Sequence, residues 1–245
     1  MSLAIHPLNL GEIEVDGSFV VWQTNCGQAQ HVPATAWLIT GAEEPILVDS
    51  GFRGPEDVTA YSGLPARRAD DQTLEAQLDA HDLKPADIGV LVHTHLHLDH
   101  AGLDDQLDNA RIVIQREELR YAAAPLFPVP FYDRQDISKL VGPLYDRIDF
   151  IQGDVELFPG IRTVVTGGHT PMHQMVYVEV DSGTAIITGD AAYIADVNVE
   201  HQVPFGYFTD LDAVMSGLAR IKRDATHVLP THDISVYDKY PDGIR

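Results

Sequence analysis

The chain has 245 residues, of which 37 are acidic and 16 are basic, so its formal net charge at pH 7 is −21. A hydrophobic fraction of 44% is typical of a folded globular protein and argues against global disorder. The negative charge argues against nucleic acid or an anionic membrane as a partner, because their phosphates would be repelled. The length suits one large domain, and we expect residues 1–245 to form it.

The cysteine count and the N-terminus bear on the compartment. The single cysteine, Cys26, rules out an internal disulfide framework and fits a reducing compartment. The N-terminus lacks the basic region and long apolar run of a secretory signal. No run of about 18 apolar residues suggests a membrane span. We therefore predict a cytoplasmic protein.

Short strand-like runs alternate with helix-like segments along the chain. Buried apolar runs predict strands at 45–49, 88–92, 110–114, 162–165, 175–180, 184–187 and 227–229. Apolar residues at helical spacing predict helices at 73–83, 116–124 and 211–223. This alternation in both halves predicts an α/β fold: two pseudo-equivalent halves whose sheets pack face to face between helices, a four-layer αββα sandwich.

A segment near 125–148 interrupts this regular alternation. Three prolines, at 125, 128 and 130, prevent regular helix at its start, and aromatic residues lie between and just after them. Aromatic residues in irregular chain suggest a pocket wall or lid, although a surface loop anchored by its own side chains has the same composition. The aromatic residues at 126–132 and 205–208 could equally form a homodimer contact.

The densest group of reactive side chains directly follows the predicted strand 88–92. His95, His97, Asp99 and His100 occur within six residues, in the pattern HxHxDH. Imidazole nitrogen and carboxylate oxygen are ligands of Zn²⁺. Positions 95 and 97 of an extended chain point the same way, and the next two donors follow a turn. A pair of metal ions makes fuller use of four donors in six residues than a single ion does. Buried without a metal, these groups would be costly to satisfy.

Further donors follow other predicted strands. His169 comes after 162–165, Asp190 after 184–187, and His232 after 227–229. Loops after successive strands gather at one edge of a layered α/β structure. Asp190 has two carboxylate oxygens, with which it can bridge two cations. The sequence therefore predicts a binuclear site, with zinc favoured by the ligand types and iron, cobalt or manganese as alternatives.

The remaining histidines lack this context. His93 precedes the cluster, and we expect it to be buried or to support the ligands. We interpret the others as structural or solvated: His6, His31, His81, His201 and His227.

The HxHxDH pattern, followed by Gly-His, Gly-Asp and a late Thr-His, resembles the metallo-β-lactamase superfamily over nearly the whole chain. The resemblance implies an αββα sandwich with a two-zinc site at the sheet edge. It also implies a ligand set: His95, His97 and His169 for the first metal, Asp99, His100 and His232 for the second, and Asp190 as the bridge. Asp49 matches the family's early aspartate, which orients the ligands.

Within the superfamily, the chain is similar to the N-acyl-homoserine lactonases and related small-lactone lactonases. The likeness lies in Val113-Ile-Gln-Arg-Glu-Glu118, Asp190-Ala-Ala-Tyr193 and Val203-Pro-Phe205. It implies that Tyr193 hydrogen-bonds the lactone and supports the oxyanion. Two departures affect the pocket: Met172 stands where the family often has glycine, and Tyr207 and Phe208 stand where small residues are expected.

These residues suggest a mechanism. Two divalent cations depress the pKa of a shared water, and the bridging hydroxide attacks the lactone carbonyl. Tyr193 donates to the developing oxyanion, and Asp99 carries a proton to the leaving alkoxide. The substrate would be an N-acyl-homoserine lactone or a smaller or aromatic lactone. The alternatives are a thioesterase or phosphotriesterase on the same metals, or a non-catalytic metal-binding member.

Overall fold

The computed structural model describes residues 2–127 and 129–245, so Pro128 of the predicted lid segment lies outside it. The described chain contains the strands β1 Ala4–Asp16, β2 Ala29–Thr40, β3 Ile46–Val48, β4 Ala66–Arg67, β5 Val90–Val92, β6 Arg111–Gln115, β7 Ile148–Ile151, β8 Val155–Phe158, β9 Ile161–Val165, β10 Gln174–Val180, β11 Gly183–Gly189 and β12 His227–Pro230. Its helices are α1 Gly17–Val20, α2 Pro55–Ser62, α3 Leu74–Asp79, α4 Arg116–Ala123, α5 Arg134–Leu140, α6 Leu211–Asp224 and α7 Ser235–Lys239. Short 3-10 helices cover 70–72, 85–87, 104–106 and 145–147, and a π-helix covers 195–200.

The strands form two sheets. The first has the order β4-β1-β2-β3-β5-β6-β7, and the second has the order β12-β11-β10-β9-β8. Strands β3, β5, β6 and β7 run parallel to one another, as do β11 and β12, while the other pairs are antiparallel. Within each sheet, the carboxyl ends of the parallel strands therefore lie together at one edge.

Three hydrophobic clusters define the layers. One lies between the sheets and joins residues such as Trp37 and Val92 of the first sheet to Val176 and Ile187 of the second. A second packs the first sheet against α3, α4 and α5, and a third packs the second sheet against α6. The order helix, sheet, sheet, helix confirms the predicted αββα sandwich. No helix in the described part of the chain is long and apolar enough to cross a membrane.

Local predictions agree with the structure to within a few residues. The predicted strands 175–180 and 184–187 correspond to β10 and β11, which form a hairpin in which Val180 pairs with Gly183 across a two-residue turn. The predicted helix 73–83 is shorter, since α3 ends at Asp79 and Asp82 takes a left-handed φ of 58°. That backbone conformation does not belong to a right-handed helix.

The two longest strands, β1 and β2, are not predicted by our sequence reading. Buried positions do alternate along β1, but Pro7 and Gly11 interrupt the apolar pattern, and a register shift lies between Asn9 and Glu12. Strand β2 is buried on both faces from Val32 to Ile39, so it lacks the period of two. Pairing with β1 and β3 determines this strand.

The predicted lid segment at 125–148 contains irregular chain followed by α5. Leu126 and Phe127 are exposed to 89% and 56%, whereas Phe131 lines a cavity that also contacts His97 and His169. The segment is tied to the fold by Arg53, which forms ion pairs with Asp133 and Asp136. Part of the segment is therefore a pocket wall, and Leu126 and Phe127 project outward.

Candidate metal centre

All seven predicted ligands lie together at the edge where the two sheets meet. The loop after β5 carries four of them, and the loops after β9, β11 and β12 carry one each. Their donor atoms form three sets, each with all atoms within 4.8 Å: His95, His97 and His169; His95, His100 and Asp190; Asp99, His100 and His232. The five histidines interpreted as structural are absent from these sets.

Hydrogen bonds fix the ring orientation of three of these histidines. His100 Nδ1 donates to Asp49 Oδ2 at 2.8 Å, His169 Nδ1 donates to the Tyr207 carbonyl at 3.0 Å, and His232 Nδ1 donates to the Pro33 carbonyl at 2.8 Å. With the proton on Nδ1, each ring presents the lone pair of Nε2 to the centre.

Asp49 and Thr94 orient a fourth ring. The Thr94 hydroxyl donates to Asp49 Oδ2 at 2.8 Å, so its oxygen is free to accept from His95 Nδ1 at 3.1 Å. Asp49 also accepts from the Thr94 backbone N–H, and its own φ is +61°. Burial raises the pKa of Asp49, but the neighbouring His100 and the hydrogen bonds bring it down to about 2. Asp49 is therefore a charged anchor for two predicted ligands.

The rings of His97 and His169 lie against each other at the centre. His97 Nδ1 lies 3.0 Å from His169 Nε2. Two ring nitrogens this close are stable only with a proton or a cation between them. Burial lowers the pKa of both rings, so both favour the neutral form that binds metals.

Asp190 lies between the two halves of the centre. Its Oδ1 is 3.2 Å from His100 Nε2, and its Oδ2 is 3.2 Å from His169 Nε2. Burial raises the pKa of Asp190, but the charges of His232 and His100 hold it well below its ordinary value. The carboxylate is thus ionised, with one oxygen directed to each half.

Asp190 is held in place by a glycine just before it and by a hydrogen bond from its backbone N–H to His173. Gly189 has a φ of +50°, and a Cβ there would lie 2.7 Å from Thr94 and 2.8 Å from His173 Nε2. His173 Nε2 accepts from the Asp190 N–H at 3.0 Å, and its Nδ1 bonds the Thr166 hydroxyl at 2.8 Å. Both nitrogens of His173 are therefore used within the protein, and it positions Asp190 instead of binding a metal.

The donor set fits a metal pair. Among the described residues, four buried atoms at the centre have no hydrogen-bond partner: His95 Nε2, His97 Nε2, His100 Nε2 and Asp190 Oδ1. Unpaired buried polar atoms are costly, and here they belong to residues of the three donor sets. Divalent cations would satisfy all four.

The centre forms one wall of a cavity. Tyr193 lines this cavity with Asp99 and Asp190, and its ring stacks on Phe205 with centroids 4.9 Å apart and planes 2° apart. Burial and the charges of Asp190 and Asp99 raise the pKa of Tyr193 well above its ordinary value, so the phenol keeps its proton. It is a neutral donor beside the metal ligands.

His93 and Glu118 support the centre from behind. His93 is buried, as expected, with Nε2 2.9 Å from Asp104 Oδ2. Glu118, whose function sequence reasoning missed, accepts from Thr170 at 2.8 Å and from Tyr132 at 3.0 Å. The sequence did offer one indication for Glu118: it is a glutamate on the inner face of a predicted helix that starts directly after a buried strand.

Comparison with known proteins agrees with this geometry. The model of the metallo-beta-lactamase superfamily matches residues 30–233. An N-acyl homoserine lactonase of Bacillus thuringiensis is 31% identical over 224 residues, which cover 86% of this chain and 84% of that protein. The lactonase AttM of Azorhizobium caulinodans is 29% identical over 230 residues, covering 87% and 86%.

A solved structure has the same fold throughout. It is an N-acyl homoserine lactone hydrolase with the product N-hexanoyl-L-homoserine bound at its catalytic metal centre. It superposes with a TM-score of 0.83 and 26% identity over 100% of both chains. The chain belongs to the metallo-β-lactamase superfamily, and within it is similar to the N-acyl homoserine lactonases.

Proposed function

We propose that this protein is a metal-dependent lactonase that opens N-acyl-homoserine lactones or related small lactones. The observation that carries the proposal is the convergence of seven donors at one centre, five of which line a single cavity together with the ring of Tyr193. The lactonase relatives support the same reaction class.

Two divalent ions, most simply Zn²⁺, would be held by His95, His97, His169, Asp190, Asp99, His100 and His232. Bound there, they would lower the pKa of water at the centre and so supply a nucleophile at neutral pH. The remaining steps fall to side chains of this chain.

Tyr193 and Asp99 have the two proton-handling roles. Tyr193 keeps its phenol proton and donates it in a hydrogen bond to the oxyanion that forms from the carbonyl. Asp99 Oδ2 lies 3.7 Å from His232 Nε2 and 3.9 Å from His100 Nε2, at the partly exposed side of the centre. From there it carries a proton to the leaving alkoxide.

The lining of the cavity favours an uncharged ester over the thioester of an anionic carrier. Among the described residues, no lysine or arginine lines it. A thioester of an anionic carrier would lack a cationic partner there. A neutral phosphotriester remains the second candidate, because metal-activated water attacks either ester.

The test is proton release from a panel of esters by protein of measured metal content. The panel contains acyl-homoserine lactones of several lengths, γ-butyrolactone, an aromatic lactone, a thioester and a phosphotriester. We expect turnover of lactones, loss of turnover after chelation, and recovery when Zn²⁺ is restored. Two bound metals with no turnover of any lactone would refute the proposal, and turnover of the phosphotriester alone would favour the second candidate.

Turnover of acyl-homoserine lactones would identify a quorum-quenching enzyme, and turnover of only small lactones would place it in catabolism. The cytoplasmic setting and the homodimer suggested by the aromatic segments stay predictions. Size measurement in solution tests the second of these.

A further inference from the structure

The cavity beside the metal centre divides into a polar end and an apolar end. The polar end holds Tyr193 and five of the predicted ligands: His97, Asp99, His169, Asp190 and His232. The lining residues beyond them are Ile13, Val15, Phe19, Val32, Leu64, Leu98, Phe131 and Tyr207, of which only Tyr207 has a polar side-chain atom. A substituent on the lactone would therefore meet carbon on nearly every side. An uncharged apolar group fits there, and a charged one would be desolvated without a partner.

Three aromatic rings lie together in the apolar part of the lining, and we call Phe19, Phe131 and Tyr207 the aromatic wall. The rings of Phe131 and Tyr207 pack edge to face with centroids 4.8 Å apart. The ring centroid of Phe19 lies 6.2 Å from that of Phe131 and 6.4 Å from that of Tyr207. Each ring thus contacts the other two, in the geometry that stabilises aromatic clusters.

Tyr207 brings this wall directly against the metal centre. Its ring centroid is 5.4 Å from that of His169 and 5.8 Å from that of His97. The room left in the cavity is about 50 Å³. That volume holds about four ordered waters, which is near the size of one lactone ring. Pockets for drug-sized ligands start at about 300 Å³.

The backbone that carries Tyr207 has little freedom to withdraw. Its carbonyl accepts from His169 Nδ1, so a shift would disturb a predicted ligand. The Gly206 N–H donates to the Phe19 carbonyl at 2.8 Å, and a Cβ on Gly206 would lie 1.7 Å from the Ser18 carbonyl oxygen. The loop and α1 are therefore pressed together, and the ring of Tyr207 stays over the centre unless its side chain rotates.

We propose that Tyr207, backed by Phe19 and Phe131, determines specificity by restricting the site to uncharged lactones with a short substituent or none. This inference rests on the proposed lactonase function. Long acyl chains are excluded because the ring occupies the space next to the reacting carbonyl. The net charge of −21 acts in the same direction, since it disfavours approach of anionic esters.

The experiment compares kcat/KM for N-butanoyl- and N-decanoyl-homoserine lactone, with γ-butyrolactone as the substrate without an acyl arm. The two acyl lactones share the same amide, so an effect of the Tyr207 hydroxyl cancels in their ratio. We expect the wild type to prefer the butanoyl substrate. Tyr207→Ala should raise the decanoyl-to-butanoyl ratio by about tenfold or more. Phe131→Ala should raise it less, because that ring lies behind Tyr207.

Two variants serve as controls. Tyr207→Phe keeps the ring, so its ratio should equal that of the wild type. Tyr145→Ala removes a tyrosine that is 48% exposed and does not line this cavity. This variant should leave the ratio unchanged. Should Tyr207→Ala fail to fold, Tyr207→Leu shortens the side chain while keeping an apolar group. Calorimetric binding of the two ring-opened products gives a ratio that does not depend on turnover.

The outcomes separate the two proposals. A wild type that hydrolyses both acyl lactones equally well, or a ratio that Tyr207→Ala leaves unchanged, overturns the role of the aromatic wall. Turnover of γ-butyrolactone alone, with no acyl lactone gained by Tyr207→Ala or Tyr207→Leu, also overturns it. If neither the wild type nor any variant turns over a lactone while two metals are bound, the lactonase function itself fails.

Discussion

Replacing Tyr193 by phenylalanine isolates the proposed oxyanion donor, because the change removes one hydroxyl and keeps the ring. The ring remains stacked on Phe205 and packed against His232, whose centroid is 4.7 Å away. Neither contact needs the oxygen. We therefore expect the variant to fold, to bind the same amount of metal, and to lose less than about 1 kcal/mol of stability.

The expected loss in rate follows from burial and charge. Tyr193 is 7% exposed, so its hydrogen bond to a developing oxyanion forms with little competition from water. Hydrogen bonds to charged groups contribute about 1.5–3 kcal/mol, and each 1.36 kcal/mol is a factor of ten in rate. Tyr193→Phe should thus lower kcat by about 10- to 150-fold.

The assay is indicator-detected proton release from lactones, with metal content measured on the same samples. Tyr240→Phe is the matched control, since Tyr240 is also 7% exposed and its hydroxyl has no hydrogen-bond partner among the described residues. It does not line the catalytic cavity, and its rate should equal that of the wild type. An unchanged rate for Tyr193→Phe on every lactone tried would refute the oxyanion role.

Four further changes test the supporting structure. Asp190→Asn removes the charge between the two halves of the centre, and should lower the metal content and abolish turnover; two retained metals would contradict its bridging role. Glu118→Ala leaves two hydroxyl donors unpaired and should lower the unfolding free energy by about 1–3 kcal/mol and weaken metal retention during dialysis, whereas Glu118→Gln should recover part of both. Gly206→Ala should cost about 1–3 kcal/mol of stability because its Cβ meets backbone, so an unchanged melting temperature would contradict the close approach. In chelator-treated protein, burial lowers the pKa of His93 but Asp104 and Asp49 raise it to about 9, so its stabilisation is complete below pH 6.5 and is lost as the pH rises through 9. Asp104→Asn should flatten that decline in melting temperature, and an equally steep decline would show that another group titrates.

The cluster of candidate ligands could be predicted from sequence because its members are concentrated in short patterns after apolar runs. His95, His97, Asp99 and His100 lie within six residues of one loop, and the order of strands brings His169, Asp190 and His232 to the same edge. The buried runs alternating with helices determined the αββα layers in the same way. Local spacing and burial are properties that a sequence records directly.

The supporting groups required the tertiary structure. Glu118 lies on α4 and reaches loops that begin far along the chain, with partners 14 and 52 residues away. The role of His173 likewise follows only from its bonds to Thr166 and to the Asp190 N–H, which use both of its ring nitrogens. Hydrogen bonds between residues far apart in the chain produce no periodic sequence pattern from which they could be predicted.

The sequence by itself determined the candidate metal centre, and the tertiary structure decided what surrounds it. Tyr207 and Phe131 are recognisable as unusual aromatic residues, but their spacing of 76 positions says nothing about contact. Folding places their rings 4.8 Å apart and sets Tyr207 over His97 and His169. Metal ligation depends on residue types that a short motif fixes, whereas the shape of a pocket depends on how distant segments pack, and packing is decided by the whole fold.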